Sequence, residues 1–404
     1  MKIINASYIL TCNDEFEISK DKAICFDEKI IDIDNIEVLN VKYPDAEIIN
    51  LPKNSVLMPG LINPHVHLEF SANKSSLTYG DFIAWLNSVI VKRDDLLLAC
   101  TDEIIEEQLK IMQKSGTTSI GAISSFGKDF EACLNSPQRV VFFAEVLGSR
   151  PDAVDILFND FLSRLRAAQD HQSERLIPAI SIHSPYSTHP ILARNALDIA
   201  RKYNYVVSTH FMESVAERNW LDKGDGDFNN FFSNFAPNSK PMSNADDYIK
   251  LFKGCKTLFT HCVQATPKEI KEIEDEGGSI THCPVSNRLL GTGKLNIRNI
   301  NNLTIGTDGL SSNISLNLWD ELRAVILTHE KQDINSLAKK SLLAVTKNGA
   351  NALNLNCGEI KKDTLADFIV CELPEDVYCE EDIPLELILH TKTTHSTYIG
   401  GRKL

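Results

Sequence analysis

A long apolar stretch is missing from this sequence. Charged and turn-forming residues interrupt every short window of the N-terminal stretch MKIINASYILTCNDEFEISKDKAICFDEK. Neither the apolar core of a secretory signal nor a spanning helix of about 20 apolar residues is therefore predicted. We expect a soluble cytoplasmic protein that has no membrane partner.

An excess of positive charge and closely spaced cysteines are missing as well. The chain carries 41 lysines and arginines against 55 aspartates and glutamates, a formal net charge of -14, with no local basic cluster. Nucleic acid is therefore excluded as an expected partner.

None of the 10 cysteines forms a Cys-x-x-Cys pair, which excludes zinc ribbons and thioredoxin-like redox chemistry. In a cytoplasmic chain we expect them to be small buried residues rather than disulfides.

The 404 residues fall into three parts by pattern, without a visible repeat. Residues 55–355 alternate short β-branched or apolar runs with helical-period stretches about eight times, which is typical of a parallel (β/α)8 barrel, also called a TIM barrel. Residues 1–54 and 356–404 contain short alternating strands and turns, and each is too short to bury a core alone. We predict that these two ends pair into one small β-sandwich domain and that 55–355 form the barrel domain.

Titratable side chains follow the predicted barrel strands. A single histidine after an apolar run is more often structural, but here six runs end in such a residue, and the carboxyl ends of barrel strands share one face. The residues at these ends are His65, His67, His183, His210, His261, His282 and Asp308.

Histidine and aspartate are ligands that suit Zn²⁺ or Fe²⁺, and a catalytic metal keeps one position open for water, whose pKa it lowers. Glu213 lies three residues after His210, so its carboxylate could carry protons beside the metal; alone, it could equally be a helix N-terminal glutamate. His67 and Glu69 match half of another zinc-deaminase signature. That signature is excluded because its Pro-Cys-x-x-Cys half is absent.

Five ordered motifs carry a family resemblance over nearly the whole chain. They are MPGLINPHVHLEF, STHFMES, THCV, THCPVSNRLLG and TIGTDGLSSNISLNLWDELR. With the closing GEIKKDTLADFIV, they resemble the amidohydrolase superfamily and, within it, the adenosine-type and chlorohydrolase-like deaminases.

The resemblance implies one divalent metal, Zn²⁺ or Fe²⁺, in a mononuclear site, because no lysine stands where binuclear members need one. It implies that Glu213 is the proton shuttle, that His261 orients the attacking water or the leaving group, and that Asp308 also helps to stabilise the intermediate. His183 would contact the substrate, and a homodimer is common in the family. The implied metal ligands are His65, His67, His210 and Asp308.

The first motif and its continuation through SANKSSLTYGDFIAWLNSVI are most similar to the deaminases of 6-aminodeoxyfutalosine, an adenosine-like nucleoside that carries a benzoate, on the futalosine route to menaquinone. Arg150 could pair with the benzoate, or it could be a solvated surface residue. Glu145 stands where deaminases of S-adenosylhomocysteine carry an arginine, which weighs against that substrate. The other predicted substrate contacts are Glu69, Phe70, Trp85, Ser286 and Asn287.

Other activities stay open at this point. Methylthioadenosine and adenosine lack the charge that Glu145 would repel. A guanine deaminase, a chlorohydrolase, a cyclic amide hydrolase or a non-catalytic binding protein could use the same barrel, because fold does not fix chemistry. The full ligand set together with Glu213 argues against the last of these.

Overall fold

The computed structural model describes residues 1–233 and 239–404. Its strands are β1 (Lys2–Asn5), β2 (Tyr8–Leu10), β3 (Ile18–Lys20), β4 (Ala23–Phe26), β5 (Ile30–Asp34), β6 (Glu47–Asn50), β7 (Ser55–Pro59), β8 (Leu61–Val66), β9 (Thr117–Ser124), β10 (Arg139–Val146), β11 (Leu176–Ile182), β12 (Val207–Phe211), β13 (Thr257–His261), β14 (Ser279–His282), β15 (Leu303–Ile305), β16 (Phe368–Glu372), β17 (Ser396–Ile399) and β18 (Arg402–Lys403).

The helices are α1 (Ile36–Lys42), α2 (Phe82–Ala99), α3 (Asp102–Lys114), α4 (Phe130–Asn135), α5 (Val154–Asp170), α6 (Pro190–Tyr203), α7 (Val215–Lys223), α8 (Asp227–Ser233), α9 (Ala245–Leu251), α10 (Pro267–Asp275), α11 (Pro284–Leu289), α12 (Leu318–Thr328), α13 (Ile334–Ala344), α14 (Lys347–Leu353) and α15 (Ile383–His390), with short 3₁₀ turns at Pro151–Ala153 and Glu380–Asp382. No helix of the described residues is long and apolar enough to cross a membrane.

The chain divides into two compact units. The first comprises Met1–Asn63, Leu109–Ile120 and Asn317–Leu404, and the second comprises Pro64–Gln108 and Gly121–Leu316. These units are defined by contacts between residues and are not the same as sequence domains. The predicted domain boundaries, after residues 54 and 355, therefore stay a prediction.

The first unit contains the paired chain ends. One sheet has the strand order β5-β4-β1-β6, and the other has the order β18-β17-β16-β7-β2-β3. In the second sheet β16 from the C-terminal segment pairs antiparallel with β7, which also pairs with β2. One buried cluster contains Phe26 and Phe368 from the two sheets, with ring centroids 5.0 Å apart. The predicted pairing of the two ends is therefore confirmed.

The eight strands from β8 to β15 form one sheet in sequential order, and the (β/α)8 barrel is confirmed. Every residue of β10 is buried, as expected for a parallel strand covered on both faces. The last strand returns to the first, because the backbone N–H of Asp308 donates to the carbonyl of His65 over 3.1 Å. Gly121 permits close packing here, since a Cβ would lie 2.3 Å from the carbonyl oxygen of Pro64.

Candidate active site and metal centre

The carboxyl ends of the barrel strands bring most of the predicted titratable residues together. His65 belongs to β8, His210 to β12 and His261 ends β13. His183 follows β11, and Asp308 lies three residues after β15. All of them belong to the second compact unit, and all except His65 line one cavity together with His67 and Glu213.

Four buried side chains, His65, His67, His210 and Asp308, bring ligand atoms near one another. The Nε2 atoms of His67 and His210 lie 3.3 Å apart. The Oδ1 atom of Asp308 lies 3.7 Å from Nε2 of His67 and 3.9 Å from Nε2 of His65. Two ligands of a tetrahedral zinc ion stand about 3.4 Å apart when each is about 2.1 Å from the metal. The three distances are close to this value, and two overlapping sets, His65 with His67 and Asp308, and His65 with His210 and His261, are each close enough to share an ion.

The backbone and nearby hydroxyls orient these ligands. Nδ1 of His210 donates to the carbonyl oxygen of His183 over 2.8 Å, so its Nε2 is the atom left to bind a metal. The Oδ2 atom of Asp308 accepts hydrogen bonds from Ser286 at 2.8 Å and Ser312 at 2.9 Å. Ser286, predicted as a substrate contact, thus holds the carboxylate of Asp308.

Burial keeps two of the imidazoles neutral, which is the form that binds a metal. Desolvation, followed by the neighbouring imidazoles, holds the pKa values of His65 and His210 well below their usual range. Glu145, His183 and His210 are also close enough to share an ion. That set shares His210 with one of the sets above; the carboxylate of Glu145 accepts a hydrogen bond from Ser181, and Nδ1 of His183 lies 2.6 Å from the hydroxyl of Ser187.

Strained backbone shapes the same region. Met212, His261, Cys262 and Asp308 adopt positive φ angles of 50°, 72°, 50° and 59°. Side chains with a Cβ rarely adopt this conformation, and it clusters where a function depends on it. The chain thus turns sharply just after β12 and β13 and at Asp308.

Glu213 and His261 face each other across the cavity wall. Oε1 of Glu213 lies 3.6 Å from Nε2 of His261, and that nitrogen is buried without a hydrogen bond among the described residues. Nδ1 of His261 lies 2.9 Å from Oδ1 of Asn287, so Asn287, predicted as a substrate contact, orients His261. Burial, with the charges of Asp308 and Glu217, holds the pKa of Glu213 well above its usual range.

Glu217 holds the turn that carries Glu213, and it was not predicted from the sequence. Its buried carboxylate accepts hydrogen bonds from the backbone N–H of Met212 at 3.0 Å and of Glu213 at 2.8 Å. Its own N–H donates to Ser214, the N-cap of α7. The Ser-x-x-Glu spacing of a capping box was the available signal; the side chain instead fixes the turn that carries Glu213.

Replacing Glu217 with glutamine should disturb this turn. The new amide would present N–H groups to one of two buried backbone donors, so we expect the free energy of unfolding to fall by about 1–3 kcal/mol. Because Glu213 would shift, kcat should fall by about 10- to 100-fold while the metal stays bound. Thermal unfolding, metal content and kcat check this. Ser214→Ala, which removes only the cap, is the control; an unchanged kcat in Glu217→Gln would contradict the positioning role.

The cavity measures about 320 Å³ and has a largely apolar wall. Phe70 and Trp85, both predicted as substrate contacts, line it, as do Phe126, Tyr186 and His183. The indole N–H of Trp85 donates to the carbonyl oxygen of Ser311 over 2.9 Å. A cavity of this size and character suits a small, mostly apolar ligand held by a few polar groups.

Five predicted substrate contacts are not among the residues that line the cavity: Ser286 and Asn287, whose contacts are given above, and Glu69, Glu145 and Arg150. Glu69 accepts hydrogen bonds from the backbone N–H groups of Ser125 and Lys128. Burial raises the pKa of Glu69 to about 8. Glu145 is buried and bonded to Ser181. The structure does not bring Arg150 to the cavity, because its side chain is 75% exposed and pairs with Asp152.

His282 shares the predicted strand-end position but not the cluster. It ends β14 and is buried, and its Nδ1 lies 3.4 Å from the amide nitrogen of Asn287. It is not among the residues that line the cavity. A histidine at a strand end is therefore not sufficient to reach the centre.

Comparison with known proteins places these features in a family. The sequence model of the amidohydrolase family matches residues 56–404. The chain is 46% identical to the aminodeoxyfutalosine deaminase of Nitratiruptor sp., and the alignment covers 100% of this chain and 99% of the relative. It is 36% identical to the adenosine deaminase of Helicobacter pylori, and that alignment also covers 100% of this chain and 99% of the relative. It also resembles the crystal structure of Helicobacter pylori aminofutalosine deaminase in complex with methylthio-coformycin, with a TM-score of 0.94, 35% identity and full coverage of both chains.

Proposed function

This chain belongs to the amidohydrolase family, and from that premise we propose that it is a zinc-dependent deaminase of an adenine nucleoside, with 6-aminodeoxyfutalosine as the substrate. As a family member it is a hydrolase that acts on C–N bonds, and it carries His and Asp side chains that could hold a metal ion. The particular nucleoside and the choice of zinc are the proposal.

One observation carries the proposal: a buried acid stands beside the metal-competent cluster inside an apolar cavity. Glu213 lies against His261 and shares the cavity with His67, His210 and Asp308. Hydrolytic deamination needs this pairing, because a proton must leave water and reach the ring nitrogen while the exocyclic amine departs. The nearly full-length match to a relative named aminodeoxyfutalosine deaminase supports the substrate.

The proposed metal ligands are His65, His67, His210 and Asp308. When bound, the zinc ion lowers the pKa of water enough to supply a nucleophile near neutral pH. Histidine nitrogens and a carboxylate oxygen are donors that zinc accepts, and the distances of 3.3 to 3.9 Å between these atoms support the set.

The other steps fall to the chain's own side chains. Oxygen from water adds to the ring carbon that bears the amine, and Glu213 carries the water proton to the adjacent ring nitrogen. His261, held by Asn287, orients the water and hydrogen-bonds the oxygen that becomes the product carbonyl. Glu213 then carries the second proton of the added water to the exocyclic amine, the C–N bond breaks as the product carbonyl forms, and ammonia leaves. Phe70 and Trp85 supply apolar wall around the nucleoside.

A substrate panel tests the proposal. We expect ammonia release with loss of adenine absorbance, and the highest kcat/KM for 6-aminodeoxyfutalosine among this nucleoside, methylthioadenosine, adenosine, S-adenosylhomocysteine and guanine. S-adenosylhomocysteine should react poorly, since its amino-acid group must enter a largely apolar cavity. Enzyme treated with a chelator is the control, and zinc should restore its activity.

Methylthioadenosine or adenosine deamination is the second candidate. The largely apolar cavity wall favours it, and similar proteins include an adenosine deaminase and a structure with methylthio-coformycin. A higher kcat/KM for methylthioadenosine than for 6-aminodeoxyfutalosine would establish it in place of the first. Hydrolysis of a triazine or hydantoin with no ammonia from any nucleoside would reject both.

A further inference from the structure

We propose that Arg93 is a specificity residue of the cavity that binds an arylcarboxylate group of the substrate. The inference rests on the proposed function, and it names the part of the site that would separate carboxylate-bearing adenine nucleosides from uncharged ones. Arg93 lies on α2, within the second compact unit that also holds the metal-competent cluster.

The helix α2 aims one face at the cavity. Trp85, Val89 and Arg93 recur at intervals of four residues, and all three line the cavity; residues so spaced share one side of a helix. Two contacts fix the start of the helix: the side chain of Asp81 caps it by accepting from Ala84, and Trp85 donates to the carbonyl oxygen of Ser311. The start of α2 is therefore fixed in position, and Arg93 lies about two helical turns after Trp85.

Arg93 differs from the other cavity-lining residues in its positive charge. Among the described residues that line the cavity, it is the one lysine or arginine, whereas Glu213 and Asp308 supply carboxyl groups at the catalytic end. A substrate carboxylate would be attracted to Arg93. This attraction would help to orient a substrate that carries a purine at one end and a carboxylate at the other.

Aromatic rings stand beside this cation. The guanidinium carbon of Arg93 lies 5.9 Å from the centroid of the Phe126 ring, and Phe126 packs edge-on against Phe70 with centroids 6.5 Å apart. Glu69 holds the loop of Phe126 by accepting from its backbone N–H at 3.0 Å. Apolar rings next to a cation form a site for an aromatic ring that ends in a carboxylate.

The present partner of Arg93 leaves room for such a ligand. Nε of Arg93 donates to Asp94 over 3.0 Å, and the Asp94 side chain is 85% exposed. Exposed pairs of this kind contribute little to stability, so a substrate carboxylate can engage the guanidinium at small cost. Arg93 is itself 44% exposed, which places its effect on binding at the lower end of that for charged hydrogen bonds.

Arg93→Met tests this assignment, because it removes the charge but keeps the apolar stem. We expect kcat/KM for 6-aminodeoxyfutalosine to fall by about 10-fold or more, mainly through KM, while kcat/KM for methylthioadenosine stays within about twofold. Arg93→Lys should restore part of the loss. Lys92→Met is the matched control: it removes the same charge from the preceding residue of α2, which is not among the residues that line the cavity. Arg150→Met tests the exposed alternative.

Each outcome is decisive. Equal losses on both substrates, no loss on either, or a loss with Arg150→Met instead would overturn the role of Arg93. The wild-type enzyme reports separately on the proposed function, because failure to deaminate any adenine nucleoside rejects that function whatever the variants do. Wild-type activity on methylthioadenosine alone would keep a deaminase but remove the carboxylate site.

Discussion

Glu213→Gln should bind metal and substrate almost normally and lose about 10²- to 10⁴-fold in kcat, the range that general acid–base catalysis contributes. The amide that replaces the carboxyl group is nearly the same size, so the buried pocket beside His261 should stay filled. It cannot accept a proton from water and pass it to the ring nitrogen. The loss should therefore appear in kcat rather than in KM.

Three measurements separate this result from simple damage to the fold. Metal analysis should give the same stoichiometry as wild type, thermal unfolding should be little changed, and a transition-state analogue should still bind. Glu213→Asp is the matched variant, because it keeps the acid but withdraws it by one methylene, and we expect kcat between those of wild type and Glu213→Gln. Full kcat in Glu213→Gln would remove this residue from the mechanism.

The barrel and its metal-competent residues could be predicted because each depends on local sequence. Buried parallel strands are apolar runs, and residues just after such runs are delivered to one face. The short strand β15 and the residues that follow it illustrate this: the run LTIGTD was enough to place Asp308 near His65 and His67. The period-2 spacing of His65 and His67 likewise pointed both side chains to one side.

The cavity wall could not be predicted in this way, because it depends on how distant elements meet. Arg150 follows a strand end and yet points to solvent, whereas Arg93 lies in the middle of a helix and reaches the cavity. Glu69 sits two residues after His67, but its carboxylate turns to the loop that begins at Ser125. Side-chain direction at these positions is set by packing partners that no local pattern names.

Backbone strain explains a further part of the site that sequence patterns do not reveal. The left-handed conformations occur at Met212, directly after β12, and at His261, the last residue of β13, although both strands have regular sequence patterns. Such conformations persist only where the surroundings enforce them. For Met212 that support is the hydrogen bond from its N–H to Glu217, and for His261 it includes Asn287; both supports come from helices that follow in the chain.

His67→Ala should give the second large effect, the loss of bound metal and of nearly all turnover. The Nε2 atom of His67 lies 3.3 Å from that of His210 and 3.7 Å from Oδ1 of Asp308, so its removal leaves two histidines and one carboxylate around a wider opening. A zinc site that loses one of its protein ligands binds much more weakly. Metal analysis of the purified variant should give well below one ion per chain, and kcat should fall by at least about 10³-fold, because nothing else lowers the pKa of water.

His282→Ala is the matched comparison, because His282 also ends a barrel strand and is also buried. It hydrogen-bonds near Asn287 rather than joining the four ligand atoms. We therefore expect this variant to keep one ion per chain even if its stability drops. Metal retained by His67→Ala, or lost from His282→Ala, would show that the ion is held by a different set of residues. The comparison thus tests whether a strand-end position is enough to make a histidine a metal ligand. We expect that it is not, because His67 lies 3.3 Å and 3.7 Å from two other ligand atoms whereas His282 lies near Asn287.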